Sequence, residues 1–306
     1  MSQPRLIVPG ATYLVTRRTL LRHMLFRPDP EITRLIVYSL AVSAHRFGIQ
    51  VHALCAMSTH VHLVLTDVHG CLPSFLHLFH RLVALGTKVL RAWEGPVWDH
   101  EATSAVRLLT RQAVIEKIAY TLANPVTAGL VRHAHEWPGA SVRADKIGCG
   151  VLHATRPDVY FDATNSRWPK EEALTLTLPP SIGEGDIADF HHDVAAALAR
   201  EEAQAHASLA RRGLSAIGSK RAAAVSPRAR ATSLEELRGR NPTLAVGHGN
   251  GNMLERAVAA LRAFRSSYRE ALAVWRTGVR HVVFPAGTWW MRVLHAVTVS
   301  DGALAP

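Results

Sequence analysis

His60 and His62, two positions apart, and Tyr120 and Asn124, four apart, are the side chains of this chain that best combine into a reactive centre. Two neutral imidazoles can hold a divalent metal, and a tyrosine hydroxyl becomes a nucleophile once its proton is lost or its oxyanion is stabilised. The histidines lie in Met57-Ser58-Thr59-His60-Val61-His62-Leu63-Val64-Leu65, where alternation of side chains has the two-residue period of a half-buried strand. Side chains at i and i+2 of a strand share one face about 6.5 to 7 Å apart, near enough to converge on one cation. The run Tyr120-Thr121-Leu122-Ala123-Asn124-Pro125 reads as the end of a helix, so Tyr120 and Asn124 share one of its faces.

Spacing alone is weak support, because a chain with 18 histidines in 306 residues contains roughly one His-x-His by chance. His133-Ala134-His135 has the same spacing, yet it lies between Gly129 and Trp137-Pro138 and reads as loop. Cys55 and Cys71 flank the pair, so a closed zinc site of Cys55, His60, His62 and Cys71 is a rival, although Cys55 falls in an apolar strand and reads as core.

The elements that must position these residues follow from local pattern. Thr12–Thr16 is a β-branched and aromatic first strand. Pro28-Asp29-Pro30-Glu31 opens a helix that carries Leu35, Ile36, Leu40 and Val42 to about Phe47 and stops at Gly48. Gln50–Met57 and the His60 segment form a hairpin about Ser58-Thr59. Ser74 is the expected N-cap of a second helix bearing Phe75, Leu78, Phe79, Leu82, Val83 and Leu85, ending near Gly95-Pro96. A short strand falls within Val97–Leu108, and Thr110 caps a third helix with Val114, Ile115, Ile118 and Leu122; beyond Pro125 the chain is expected to bend away. This β-α-β-β-α-β-α order predicts an α+β fold, a ferredoxin-like sandwich with an antiparallel sheet.

From about Lys146 the character changes, and Ala203–Arg240, rich in Ala, Arg and Ser, reads as a flexible or loosely helical connector. An amphipathic helix follows over Asn252–Arg276, with Leu254, Val258, Leu261, Tyr268, Leu272 and Trp275 on one stripe and Arg262, Arg265, Arg269 and Arg276 on another. The tail Val282–Trp290 reads as a strand and turn whose aromatics pack or stack. The expected organisation is a catalytic domain over 1–148, a connector over 149–240 and a largely helical C-terminal extension over 241–306.

A formal charge of +11 and a sequence pI near 10.3 favour a polyanionic partner, nucleic acid first and an anionic membrane second. No stretch approaches the roughly eighteen apolar residues that span a bilayer, and Met1-Ser2-Gln3-Pro4-Arg5 has no signal-peptide pattern. With three cysteines in no paired spacing, a soluble protein of the reducing cytoplasm, without membrane contact, is expected.

Three stretches in this order resemble one family. The hairpin Met57–Leu63, the helix end Tyr120-Thr121-Leu122-Ala123-Asn124-Pro125-Val126-Thr127-Ala128-Gly129-Leu130-Val131 and the downstream Glu136-Trp137-Pro138 are similar to the single-tyrosine transposases of the HUH superfamily. Within them the chain looks most like the REP-associated tyrosine transposases, over roughly residues 5–145. It departs from them in having Ser58-Thr59 where relatives usually show Pro-Asn, and its Phe284–Thr288 tail is similar to that of longer bacterial members.

The resemblance implies that His60 and His62 hold Mg²⁺ or Mn²⁺, that Asn124 completes the protein's share of the metal shell, and that Tyr120 is the nucleophile. It implies a 5′-phosphotyrosine link and a free 3′-hydroxyl, with the substrate a single-stranded DNA bearing a hairpin, and it leaves a homodimer open. Arg17, Arg18, Arg22 and Arg27 near the first strand, with Arg262 and Arg269 of the C-terminal helix, are candidate phosphate contacts. Two other functions stay open: a domesticated DNA-binding protein that no longer transposes, and a zinc-stabilised RNA-binding protein.

Overall fold

Strand and helix boundaries follow from where the chain satisfies its own backbone. In the computed structural model, which describes residues 3–183, 186–233 and 242–302, β1 (Ala11–Arg18) leads to α1 (Pro30–Phe47). Asp29 caps α1 by accepting a hydrogen bond from the Ile32 N–H at 2.9 Å, Pro30 fills its first turn, and Gly48 ends it in the left-handed region at φ 63°. The hairpin β2 (Ile49–Met57) and β3 (His60–Asp67) follows, then α2 (Leu72–Arg91), β4 (Ser104–Leu108) and α3 (Arg111–Thr127).

The sheet runs β2-β3-β1-β4, every neighbour antiparallel, which is the ferredoxin-like order expected from the sequence. One further short strand, β7, lies parallel to β4 at the edge; it is Leu244–Ala245, after β5 (Val151–Thr155) and β6 (Glu171–Thr175) of a separate hairpin. Helices α1 and α2 pack together through Leu35, fully buried against Gly86, where there is no room for a Cβ. Helix α3 lies against β2 and β3 on the face that carries His60 and His62.

Three local expectations are corrected. Helix α2 begins at Leu72, ahead of Ser74, because the carboxylate of Asp67 at the end of β3 accepts from the Cys71 N–H at 2.7 Å and the Leu72 N–H at 2.8 Å. It ends at Arg91, before Gly95-Pro96, where Ala92 turns left-handed and the Trp93 N–H reaches back to the Lys88 carbonyl. Pro125 does not bend the chain away: it costs one ladder bond in the last turn, Ala123, Pro125 and Val126 are buried, and α3 continues to Thr127 before Gly129 turns at φ 68°.

The expected connector is largely built structure. Residues 149–240 contain β5, β6, the helix α4 (Ile187–Arg211) and the short helix α5 (Ser219–Ala224); residues 234–240 lie outside the described residues. Apolar residues recur along α4, and Phe190, Val194, Ala197, Ala205 and Leu209 are buried as it packs on α3, with Leu209 against Gly129. In the C-terminal extension α6 (Gly251–Arg276) buries Leu261, Phe264 and Tyr268 around Phe284 and Met291 of the tail. The tail is no regular strand: Phe284 makes a single bridge with Val299, and α7 (Trp290–His295) follows with Trp290 59% exposed.

Asp67 is fully buried, and burial pushes its carboxyl pKa up against four backbone N–H groups that pull it down. Asp67→Ala strips two N–H groups at the start of α2 of their acceptor, so urea denaturation should show a stability loss of about 2–3 kcal/mol. A loss below about 0.5 kcal/mol would mean that water caps the helix equally well.

Candidate active site

Register decides what the histidine pair faces. Across the sheet His60 lies opposite Arg18 and Met57, and His62 opposite Thr16 and Cys55, so all six belong to one face. The face is covered by α3, whose Lys117, Tyr120 and Asn124 follow one another at helical spacing. Asn124 brings Oδ1 to 3.3 Å from His60 Nε2, and its Nδ2 turns back to the Tyr120 carbonyl at 3.5 Å. The Tyr120 ring stands edge-to-face with His62, centroids 5.5 Å apart, and His62 in turn with His60 at 4.6 Å. Tyr120 is 40% exposed, so its hydroxyl can meet a polymer, whereas His62 is buried.

Each imidazole is steered through its other nitrogen. Thr59 Oγ1 lies 2.9 Å from His60 Nδ1, and Thr16 Oγ1 lies 2.9 Å from His62 Nδ1. With each Nδ1–H donating to its hydroxyl, each Nε2 keeps its lone pair for the space under α3. There His60 Nε2 faces the acceptor Asn124 Oδ1, and His62 Nε2 is buried with no hydrogen-bond partner among the described residues. Acceptors gathered in this way need a proton or a cation between them, since a buried nitrogen left unmet costs about 1–3 kcal/mol. Two imidazole nitrogens and an amide oxygen are a donor set that fits a divalent cation, with the remaining coordination positions open.

Charge reinforces that reading of the donors. Burial pushes His60 down to about 4, with Arg18 and Arg22 adding to the effect and Asn124 opposing it. His62 is driven well below 6.5 by burial, by His60 and by Arg18. Both rings are therefore neutral near pH 7, the form that binds metal. Outside them sit cations: Arg18, Arg22 and Lys117, whose ammonium lies 5.5 Å from the Tyr120 ring centroid.

The zinc rival is not assembled. Cys71 stands at the start of α2, beyond the far end of β3 from His60, and burial pushes the Cys55 thiol up to about 12 among Met57, Val126, Val131 and Trp137. Among the described residues no three or more His, Cys, Asp or Glu side chains form a metal-holding group. His133 and His135, expected in a loop, stack on each other at a single 3-10 turn, Ala134–Glu136, with His133 as its N-cap and paired with Glu202 of α4. Glu136 and Trp137 brace the fold: Glu136 accepts the Arg132 and His133 N–H groups, and the Trp137 indole donates to the Ala56 carbonyl at 2.9 Å.

The arginines separate. Arg18 lies on the face of the histidines. Arg17 points the other way, bonded to Thr103 and the Asp99 carbonyl over the Trp98 ring. Arg22 is held by Ser233, and Arg27 by the Ala223 and Val225 carbonyls and Asp29. Arg262 and Arg269 are exposed on α6, which packs beside β7 at the β4 edge of the sheet. Sequence reasoning missed Thr16, Thr59 and Lys117; Thr59 precedes His60 and Lys117 lies one turn before Tyr120, whereas nothing local marks Thr16.

No protein-family profile and no curated protein matches this chain. Among solved structures it is similar to a REP-associated tyrosine transposase bound to a REP hairpin, at 16% identity and a TM-score of 0.40, over 55% of this chain and 97% of that one. It is also similar to a candidate transposase from Deinococcus radiodurans R1, at 21% identity and a TM-score of 0.27, over 35% of this chain and 85% of that one. Among the described residues no helix is long and apolar enough to cross a membrane.

Buried neutral imidazoles also set a pH dependence. On the same sheet face His52 bonds Thr66 and the Thr177 carbonyl and is lowered by burial to about 4; His80 under Trp98 is lowered to about 3. On acidification the unfolded chain takes up protons near pH 6.5 while the folded chain does not, so stability is full above that pH and falls as pH approaches 4. Urea midpoints should drop between neutral and mildly acidic pH, at up to about 1.4 kcal/mol per pH unit for each such histidine. A flat profile through this window would show that these imidazoles take up protons in the fold as readily as in the unfolded chain.

Proposed function

We propose that this protein is a metal-dependent enzyme that breaks and rejoins DNA phosphodiesters with a tyrosine nucleophile. More particularly, it acts as a REP-associated tyrosine transposase does, on single-stranded DNA bearing a hairpin. The observation that carries this reading is the meeting of Tyr120 with His62 and of Asn124 Oδ1 with His60 Nε2, across a helix–sheet contact between motifs about sixty residues apart. The order of those motifs and the excess of positive charge support it.

His60, His62 and Asn124 would hold the cation, and a bound divalent ion would supply Lewis-acid stabilisation of charge on the scissile phosphate. Imidazole donors suit Mn²⁺ better than Mg²⁺, which prefers an all-oxygen shell. Tyr120 Oη, its proton given up to solvent at its exposed edge, attacks phosphorus; the O–P bond forms as the bond to the 3′-oxygen breaks. The 3′-oxygen leaves, takes a proton and becomes a hydroxyl, while the 5′ side stays linked to Tyr120. A 3′-hydroxyl of the same or another strand reverses the step, so rejoining needs no nucleotide cofactor. The His62 ring is the surface against which Tyr120 stands, with Thr16 at its Nδ1, and Asn124 ties the nucleophile's own helix turn to His60.

Incubation of labelled hairpin-bearing single strands with Mn²⁺ should give a covalent adduct with the native chain and none with Tyr120→Phe. An adduct that survives in the variant removes Tyr120 from the reaction, and cleavage that ignores a chelator removes the metal. Binding of the hairpin without any adduct would favour the binding-only reading. Thr16→Val, which keeps shape and deletes the hydroxyl behind His62, should weaken Mn²⁺ binding roughly 10- to 100-fold in a paramagnetic titration. An unchanged affinity would show that Thr16 does not orient the ring.

A further inference from the structure

Residues 217–233 belong by composition to a connector, yet the fold stitches them to the sheet end that carries the histidines. The Ile217 and Gly218 N–H groups donate to the Gly129 and Leu130 carbonyls at 3.0 Å each, just past α3. Ala222 of α5 is buried with Cys55 and Met57, the cross-strand partners of His62 and His60. Further on, the Met24 N–H donates to the Ala229 carbonyl at 2.9 Å and the Ala231 N–H to the Arg22 carbonyl at 3.1 Å, a bridge centred on His23 and Arg230. Arg22 and Arg27 clamp the segment through Ser233, Ala223 and Val225.

Two arginines expected to meet phosphate thus hold this strap, and the strap presents cations of its own. Lys220, Arg221, Arg228 and Arg230 are exposed, and no Asp or Glu occurs between positions 203 and 233. Arg228 reaches the Ala92 carbonyl and lies over Trp93, and Arg230 bonds His23, so their places are set along one path. A free linker of this composition would lose conformational entropy on binding; a stitched one is already ordered.

We propose that residues 217–233 form a cationic rail that binds the phosphates of single-stranded DNA flanking the hairpin and leads that strand to Tyr120. The identity of the substrate rests on the function proposed above; the phosphate-binding role does not. An unpaired strand is favoured over a duplex stem because the strap shares a buried cluster with Cys55 and Met57, the cross-strand partners of His62 and His60, while Tyr120, which the strand would have to reach, is only 40% exposed.

The test uses the full chain carrying Tyr120→Phe, without metal, so that binding is read apart from cleavage. Fluorescence anisotropy follows a labelled DNA stem-loop with a single-stranded thymidine flank, and the same stem-loop without the flank, over a salt series. Lys220→Gln with Arg221→Gln should weaken the flanked probe on the order of tenfold at low salt and reduce the log–log salt slope by about 1.4. The unflanked stem-loop should bind as before and the melting temperature should not move. Unchanged binding of the flanked probe overturns the rail, and an equal loss on the unflanked stem-loop overturns its assignment to the single strand. Should the melting temperature fall, the charge-keeping Lys220→Arg with Arg221→Lys must restore affinity, and failure to do so also overturns it. Absence of a covalent adduct with the native chain would sink the cleavage reading alone and leave this outcome standing.

Discussion

The docking of α3 on the β2–β3 hairpin is the contact on which the candidate site depends. By itself the hairpin holds two imidazoles on one face, and the helix holds a tyrosine and an asparagine on one face. Neither makes a centre. Ile118, Leu122 and Val126 are buried as the helix meets the sheet, and α4 backs it from outside through Leu209 against Gly129. A fully buried side chain of this size contributes roughly 1.5–3 kcal/mol, so the apolar contact far exceeds the polar one it brings about, the 3.3 Å approach of His60 and Asn124.

That docking creates an electrostatic contrast. Under the helix lie neutral imidazoles, kept so by burial and by neighbouring cations; around them stand Arg18, Arg22 and Lys117. Protonating the rings would cost energy against both burial and like charge, which leaves their lone pairs for a cation. A metal at these nitrogens would add to the positive field instead of cancelling it. Such a place suits a polyanion, and phosphate oxygens would complete what the protein leaves open.

Beyond the ferredoxin-like sandwich, the chain spends much of its length on bracing and extending this one region. Glu136 and Trp137 tie the turn after α3 to β2, Glu202 of α4 accepts the Ala134 N–H at 2.8 Å, and the strap at 217–233 continues past α3 to the start of the hairpin's neighbouring loop. Arg22 and Arg27 show how a charge count misleads when read residue by residue. Their guanidinium groups bind carbonyls of the strap, and the strap's own exposed cations take the outward positions.

Local chemistry was legible from the residues. Asp29, Pro30 and Gly48 bracket α1, Thr110 caps α3, and the alternation through His60 and His62 foretells a strand with both rings on one side. Each depends on neighbours within a few positions, and the order of these elements was enough for the sandwich. What lay beyond the sequence involved partners distant along the chain or a local rule overridden by packing. Asp67 caps α2 from the preceding strand; buried neighbours carry α3 through Pro125; α4 packs on α3, and the strap is bonded to the turn after α3 and to the segment after β1. Thr16 finds His62 because β1 and β3 pair in one register, and a slip of one residue would turn the hydroxyl to the opposite face. The sequence by itself determined the candidate side chains and the elements that carry them, since periodicity and capping are local. Only the tertiary structure decided that they meet, because helix-to-sheet docking and strand register are settled by the burial of the whole.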